Sequence, residues 1–289
     1  MVIKHIVISG GGPSGFISYG VLKQLHKQHF WNFEDIESIY GTSIGGILSA
    51  ILCLKYDWES IDDYFIKRPW DKVLTTDTND ILTILANKGL DGKEFSKIIL
   101  KPLLNGKGYN IEITMWELYK KTNIELHLFG TNINESNKLN SHDINYKTFP
   151  DMKLYEAVAI TSAMPMIFKP IIYGDNCYLD GGILHNYPLQ QCIENNNMKE
   201  ILAIKNKWNN ECVMVTEKTS VLEYMRILMQ KIHNTLDSSD IQPDILYQVE
   251  CDTEELSNMT TWLDALREKE MRKNLIKKGE NIAINFNVN

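Results

Sequence analysis

Apolar positions along this chain switch between strand-like runs and helical spacing, and the order of the switches predicts an architecture. His5-Ile6-Val7-Ile8-Ser9 is a short β-branched run that ends at Gly10-Gly11-Gly12, and beyond it Phe16, Tyr19, Val21, Leu22 and Leu25 recur at helical spacing up to His29. The segment reads as strand, glycine turn, helix. The order then repeats, with Ile36-Glu37-Ser38-Ile39-Tyr40, the turn Gly41-Thr42-Ser43-Ile44-Gly45-Gly46 and an apolar helical stretch to Leu54. Two consecutive units of this kind predict an α/β fold with a largely parallel sheet.

Downstream, the pattern is mainly helical from Asp57 to Lys120, with segments near 58–67, 78–87, 93–104 and 114–121 and turn signals at Asp91-Gly92 and Asn105-Gly106. A strand is expected at Glu125–Thr131, followed by an asparagine-rich surface loop from Asn132 to Asn145. Further on come a helix at Leu154–Ser162, strands at Pro170–Tyr173 and Glu200–Lys205, a helix at Val221–Leu236 and a strand at Asp244–Val249. A last helix at Thr260–Lys278 is expected to be closed by Gly279. No repeat or linker interrupts the pattern, so residues 1–289 are read as one domain, with a motif-bearing core at 3–209 and C-terminal helices and a strand at 217–279 completing it.

Composition narrows the function. Hydrophobic residues make up 44% of the 289, enough for a substantial core. The 30 Lys and Arg against 37 Asp and Glu leave a formal charge of −7, which offers no basic surface for nucleic acid and no net attraction to anionic lipid. A local basic group, Lys269, Arg272, Lys273, Lys277 and Lys278, reads as a solvated helix face or as a patch touching a membrane. The five cysteines (Cys53, Cys177, Cys192, Cys212 and Cys251) are scattered without CxxC spacing, so neither a disulfide framework nor a zinc site is expected. No metal-ligand spacing occurs among the His, Asp and Glu residues, and no cofactor is expected. The N-terminus lacks the regions of a signal peptide, and the longest nearly uncharged apolar run, Ile44–Leu54, falls short of the roughly 20 residues a membrane helix needs. The expectation is a cytoplasmic protein, not secreted, with peripheral membrane contact as the alternative to free solution.

Three glycine-rich segments carry the chemistry. Gly41-Thr42-Ser43-Ile44-Gly45 is a G-x-S-x-G between a predicted strand and helix, the context of a nucleophile elbow, in which a Cβ at either flanking glycine would clash. The bland reading is a turn whose serine caps the helix. Gly10-Gly11-Gly12-Pro13-Ser14-Gly15 fits G-x-G-x-x-G and so competes as a dinucleotide fingerprint, with Glu34 and Asp35 about 20 residues on. Those acids, however, precede the second strand instead of ending it. Alternatively, amides of this turn stabilise an oxyanion, which explains why an elbow follows in the neighbouring unit. Tyr178-Leu179-Asp180-Gly181-Gly182 places an acid at the end of a short apolar run, beside two glycines that admit close approach.

In this order, GGGxxG, GTSIGG and DGG resemble the patatin-like phospholipase family. Thr161-Ser162-Ala163-Met164-Pro165 with Phe168 and Pro170 resembles its A-S-x-A-x-P-x-x-F-x-P stretch, and Asn186-Tyr187-Pro188 its N-x-P; the likeness spans 3 to about 209 and extends more loosely to Gly279. The resemblance implies a three-layer α/β/α fold and a serine lipid acyl hydrolase of phospholipase A type. Ser43 would be the nucleophile and Asp180 the general base in a two-residue dyad. Gly10, Gly11, Gly12 and Gly15 would build the oxyanion hole, supported by Gly41, Gly45, Gly181 and Gly182. The implied substrates are phospholipids or other acyl lipids, and no loop has calcium-ligand spacing. A carboxylate of ordinary pKa is a weak base, so Asp180 is expected to be desolvated and raised. Ser14 stands where the family commonly has Arg or Lys. Three other readings stay open: a triad using His185 or His233, a catalytically silent lipid- or protein-binding module, and the dinucleotide site. The aliphatic stretch Ile81–Leu104 is either core or a mobile cap that meets lipid.

Overall fold

A computed structural model describes residues 2–70, 73, 89–165, 167–208, 214–237, 245–256 and 258–286, without the side chains of Leu222, His233, Leu236 and Asp237. The strands are β1 (His5–Ile8), β2 (Ser38–Gly41), β3 (Glu125–Asn132), β4 (Asn140–Ile144), β5 (Ile171–Tyr173), β6 (Asn176–Asp180), β7 (Ile201–Lys207) and β8 (Gln248–Asp252). They form one sheet in the order β5-β6-β3-β2-β1-β7-β8, with β4 paired to β3 off that path. The run from β3 to β8 is parallel, and antiparallel pairing is confined to β3–β4, β3–β6 and β5–β6.

Alternation along the strands sorts the two faces. Ile6, Ile8, Ile39, Leu126, Leu128, Leu202 and Ile204 enter a large core. It is shared with α1 (Gly15–Lys27), α2 (Ile44–Cys53), α3 (Trp58–Lys67), α4 (Gly92–Gly106) and α6 (Leu154–Thr161). Between α4 and α6 lies α5 (Met115–Thr122), started by a capping box of Thr114 and Glu117. On the opposite side Val7, Tyr40, Phe129 and Ala203 meet Tyr187 and the short α7 (Leu189–Ile193). The architecture is therefore α/β/α with unequal layers. Right-handed crossovers give a reason: the steps β1 to β2 to β3 put α1 and α2 on one face, and the return across the sheet to β7 carries α7 to the other.

After β7 come α8 (Val221–Asp237), α9 (Met259–Arg267) and α10 (Lys269–Ile284). The single helix expected at 260–278 is two, because Glu268 adopts an extended φ of −97° and ψ of 115°. Gly279 does not close a helix. It lies inside α10, where a Cβ would overlap the carbonyl of Ile17, while a Cβ on Gly20 of α1 would overlap the carbonyl of Ile276. Two glycines thus let α1 and α10 touch backbone to backbone, which puts α10 on the thick face with Leu275 and Ile276 in the large core.

Other expectations need correction. The segment read as a loop from Asn132 to Asn145 contains β4, and β8 starts at Gln248, later than the strand expected from Asp244. In the basic group of α10, Lys269, Lys273 and Lys277 are exposed as a solvated face, but Arg272 is buried and donates to the carbonyls of Phe65, Ile66, Arg68, Ala265 and Leu266, and Lys278 pairs with Glu255. The helix expected at 78–87 lies outside the described residues, while Ile99, Leu100, Leu103 and Leu104 of α4 are core. Among the described residues, no helix is long and apolar enough to cross a membrane.

On helix propensity alone, Gly20→Ala should stabilise α1 by about 1 kcal/mol. Contact with the Ile276 carbonyl reverses the sign. The expected result in urea or thermal unfolding is a loss of roughly 1–3 kcal/mol, as overpacking against backbone generally costs.

Candidate active site

Strand register brings the serine and the aspartate to one level. Gly41 of β2 lies opposite Leu128 of β3, and Gly130, two residues further along β3, lies opposite Asp180 of β6. Ser43, two residues beyond Gly41, therefore emerges level with Asp180, with β3 between their strands.

Ser43 holds φ 55° and ψ −125°, a left-handed backbone that an L-residue adopts only under constraint, at about 1–3 kcal/mol. The constraint is steric on both sides. A Cβ on Gly45 would overlap the Ile8 carbonyl, and one on Gly41 would sit 2.5 Å from the Gly45 oxygen. From the third side, the Ser43 amide donates to the carbonyl and the Oγ1 of Thr161, at 3.0 and 3.1 Å. Ser43 occupies the N-cap position of α2, yet its side chain makes no capping hydrogen bond. The bland reading of the serine as a helix cap therefore does not hold, and its side chain lines a cleft instead.

Asp180 lines the same cleft and is 5% exposed. Its amide donates to the Ala163 carbonyl at 2.9 Å and its carbonyl accepts from Thr131 Oγ1 at 3.0 Å, which fixes the backbone. Its Oδ1 accepts from the Gly182 amide at 2.7 Å. A Cβ on Gly181 would overlap the Phe129 carbonyl, so that glycine is needed for contact with β3. Burial pushes the Asp180 carboxyl up to about 6, against smaller opposing effects from the Gly182 amide and the Ser43 hydroxyl. A carboxylate so placed is a stronger base than one in water and remains mostly ionised at neutral pH.

The four glycines of the first turn separate into two roles. The Gly10 amide donates to the Asn186 carbonyl at 2.9 Å, and the Gly15 amide to the carbonyls of Gly12 and Pro13. Neither is available to an oxyanion, which corrects the expectation for both. Their lack of Cβ matters instead, since a Cβ on Gly10 would overlap Asn186 Oδ1 and one on Gly15 would overlap Ile44 Cγ1. Gly11 and Gly12, at φ 153° and 57°, line the cleft with Ser43, and their amides have no acceptor among the described residues. Asn206, at the end of β7, braces this turn by donating to the Gly10 carbonyl at 2.8 Å and to Ser14 Oγ at 2.7 Å. Ser14 in turn donates to the Gly11 carbonyl at 3.0 Å. The residue that departs from the family pattern thus has a definite task here.

Dinucleotide binding gains nothing from this geometry: the turn faces Ser43, and Glu34 and Asp35 lie ahead of β2. His185 presents its carbonyl to Thr42 Oγ1 at 2.8 Å, and its imidazole does not line the cleft; the side chain of His233 lies outside the described residues. Sequence reasoning missed Asn206, Trp262 and Arg226. Trp262 of α9 packs over Gly12, and Arg226 reaches the cleft from α8. A polar Asn206 in the apolar strand ILAIKNK and an Arg226 inside the apolar run of α8 were the available signals.

The chain is similar to known proteins in sequence and in fold. The family model described as Patatin-like phospholipase matches residues 6–193. A protein of Invertebrate iridescent virus 6 named "Probable lipid hydrolase 463L" is 27% identical over 253 residues, covering 84% of this chain and 81% of its own length. "Lysophospholipase NTE1" of Debaryomyces hansenii is 27% identical over 206 residues, which are 69% of this chain but only 11% of that protein. In fold, the chain matches the crystal structure of VipD from Legionella pneumophila with a TM-score of 0.59 at 15% identity, covering 96% of this chain and 67% of that one.

Burial of Asp180 has a consequence independent of any reaction. Its carboxyl titrates near 6 in the folded chain against an ordinary 3.8, so the folded state binds the proton more tightly. The stabilising contribution is complete below pH 3.8 and is lost as pH rises through 6. At pH 7 the ionised group costs the fold on the order of 3 kcal/mol. Asp180→Asn keeps an acceptor for the Gly182 amide, and the expected result is a melting temperature several degrees above the parent at pH 7, with the gap closing towards pH 4.

Proposed function

The chain belongs to the patatin-like phospholipase family, and from that premise we propose that it is a serine acyl hydrolase of phospholipase A type, cleaving fatty-acyl esters of glycerophospholipids. The observation that carries the reading is the pairing of a strained, non-capping Ser43 with a buried Asp180 at the same level of the sheet. The hydrolase names of the two relatives support a lipid ester over other esters.

In this reaction Ser43 Oγ attacks the ester carbonyl while Asp180 accepts its proton. Charge developing on the carbonyl oxygen meets the amides of Gly11 and Gly12, helped by the N-terminal end of α2 directly behind the serine. Asp180 returns the proton to the departing alcohol, releasing a lysolipid, and then activates the water that frees the fatty acid. No histidine takes part in these steps. We take the C-terminal helices as part of the same catalytic unit, because α8 lines the cleft and α10 packs on α1.

The test is fatty-acid release from mixed phospholipid vesicles with calcium chelated. Ser43→Ala is expected to lower the rate by about 10⁴-fold or more, the usual scale for loss of a covalent nucleophile and its partner; equal release by parent and variant would overturn the assignment. A second expectation follows from the base. Only ionised Asp180 can accept the proton, so the rate should fall about tenfold per pH unit below the Asp180 titration near 6 and be flat above it.

A further inference from the structure

Arg226 is an unusual lining for this cleft. Elsewhere the wall is largely apolar, formed by Met164, Pro165, Ile183, Met229, Trp208 and Trp262. Arg226 is 4% exposed, and charged side chains are seldom buried so deeply without a defined task. One edge of its guanidinium is occupied: Nε donates to both oxygens of Glu223 at 3.1 and 3.0 Å, and Nη2 donates to Oε1 at 2.6 Å. Glu223 is anchored in turn by the Met259 amide at 2.7 Å. Nη1 donates to Gln230 Oε1 at 3.0 Å.

A guanidinium has five N–H donors. After these bonds two remain, one on each terminal nitrogen. Arg226 and Gln230 line the cleft whereas Glu223 does not. A guanidinium with one donor left on each terminal nitrogen can take an oxyanion with two prongs. Arg226 is also the only basic side chain lining the cleft among the described residues, and it belongs to α8, beyond the family match at 6–193.

Resting on the hydrolase reading above, we propose that Arg226 binds the phosphate of the lipid substrate and sets a preference for phosphate-bearing over uncharged acylglycerols. Glu223 and Gln230 orient the guanidinium, and the ester reaches Ser43 while the phosphate is held at α8.

The test compares a short-chain phosphatidylcholine with a diacylglycerol of the same acyl chains. Removing a charge-assisted hydrogen-bond pair generally costs about 1.5–3 kcal/mol. Arg226→Gln should therefore lower the phospholipid-to-diacylglycerol ratio of kcat/KM roughly 10- to 100-fold. Glu223→Gln keeps the arginine's charge but loosens its orientation, so the ratio should fall by less than in Arg226→Gln. Because Arg226→Gln takes the guanidinium away from the half-buried Glu223, the double variant Glu223→Gln with Arg226→Gln is measured alongside, with its thermal melt. It should show the same loss of ratio on a folded protein. Binding of both lipids to a Ser43→Ala background, with and without Arg226→Gln, gives the same ratio from dissociation constants and needs no turnover. A parent that hydrolyses neither ester would sink the hydrolase reading, while the binding ratio would still decide the role of Arg226. An unchanged ratio in Arg226→Gln, or an equal fall in Glu223→Gln, would assign the arginine to tying α8 to α9 and overturn the proposal. Inorganic phosphate is the last probe. Competition only far above the lipid concentration supports a lipid phosphate as ligand, and displacement at equal concentration assigns the site to a free anion and overturns it.

Discussion

At Ser43 the chain must pass from a strand to a helix within two residues, at a φ of 55° that only surrounding contacts can impose on a serine. The Ile8 carbonyl presses from β1 where Gly45 has no Cβ, and Thr161 takes the serine amide from the end of α6. The strain of about 1–3 kcal/mol is thus borne by a parallel β1–β2 pair and by a helix more than a hundred residues away in sequence. Remove either and the serine can relax into ordinary helix-capping geometry, which would draw its hydroxyl out of the cleft. The layered fold therefore follows from the site as much as it carries it: a sharp elbow needs neighbours on three sides, and a sheet with a thick helical face supplies them.

The same crowding creates the chemistry. A serine turned into a cleft is an ordinary alcohol unless a base lies beside it, and on the proposed reading the antiparallel entry of β6 delivers that base already dehydrated. Were Asp180 on an exposed loop it would titrate near its ordinary value and accept a proton poorly. Burial raises it, and the fold tolerates the resulting instability because the backbone of Asp180 is fixed by Ala163 and Thr131. The glycine turn obeys a similar logic. Gly11 and Gly12 can present amides only if the turn is stiff, and Asn206 and Ser14 stiffen it from below without a cationic side chain. This is a physical reason why Ser14 fits where a basic residue is commonly found.

How much of this was legible in the sequence depends on distance. The elbow and the DGG segment are local patterns with local steric causes, and the structure places Ser43 and Asp180 where those patterns point. The order of strands and helices up to β3 could also be read, since alternation and helical spacing are properties of short windows. What could not be read depends on partners far along the chain. Asn140–Ile144 looks like a polar loop because none of its first four residues is fully buried, yet β3 pairs with it. Gly279 carries the composition of a helix end, and only Ile17, some 260 residues earlier, shows that it is a contact point. Arg272 sits in a basic run, and nothing nearby indicates that five carbonyls from two helix ends surround it. Gly10 and Gly15 belong to the right motif but serve by their missing side chains, a distinction that depends on Asn186 and Ile44.

On the proposed reading, chemistry and selection are built from different stretches of the chain. The serine, the aspartate and both free amides come from the first 193 residues, the stretch the family model covers, whereas Trp208, Arg226 and Trp262 approach the cleft from later segments. A reacting centre needs a rigid sheet behind it, and β1, β2, β3 and β6 provide that. A substrate-facing wall needs only to be held at a set distance, which the backbone contact of α1 with α10 and the packing of Trp262 on Gly12 accomplish. The two parts meet at the glycine turn, so a change in α9 that moved Trp262 would disturb the Gly12 amide as well as the wall. If α8 sets selectivity as proposed, it can vary without altering the elbow, but α9 is bound to both. Substitutions that retune which ester enters should therefore be tolerated on the cleft side of α8 and resisted beneath Trp262.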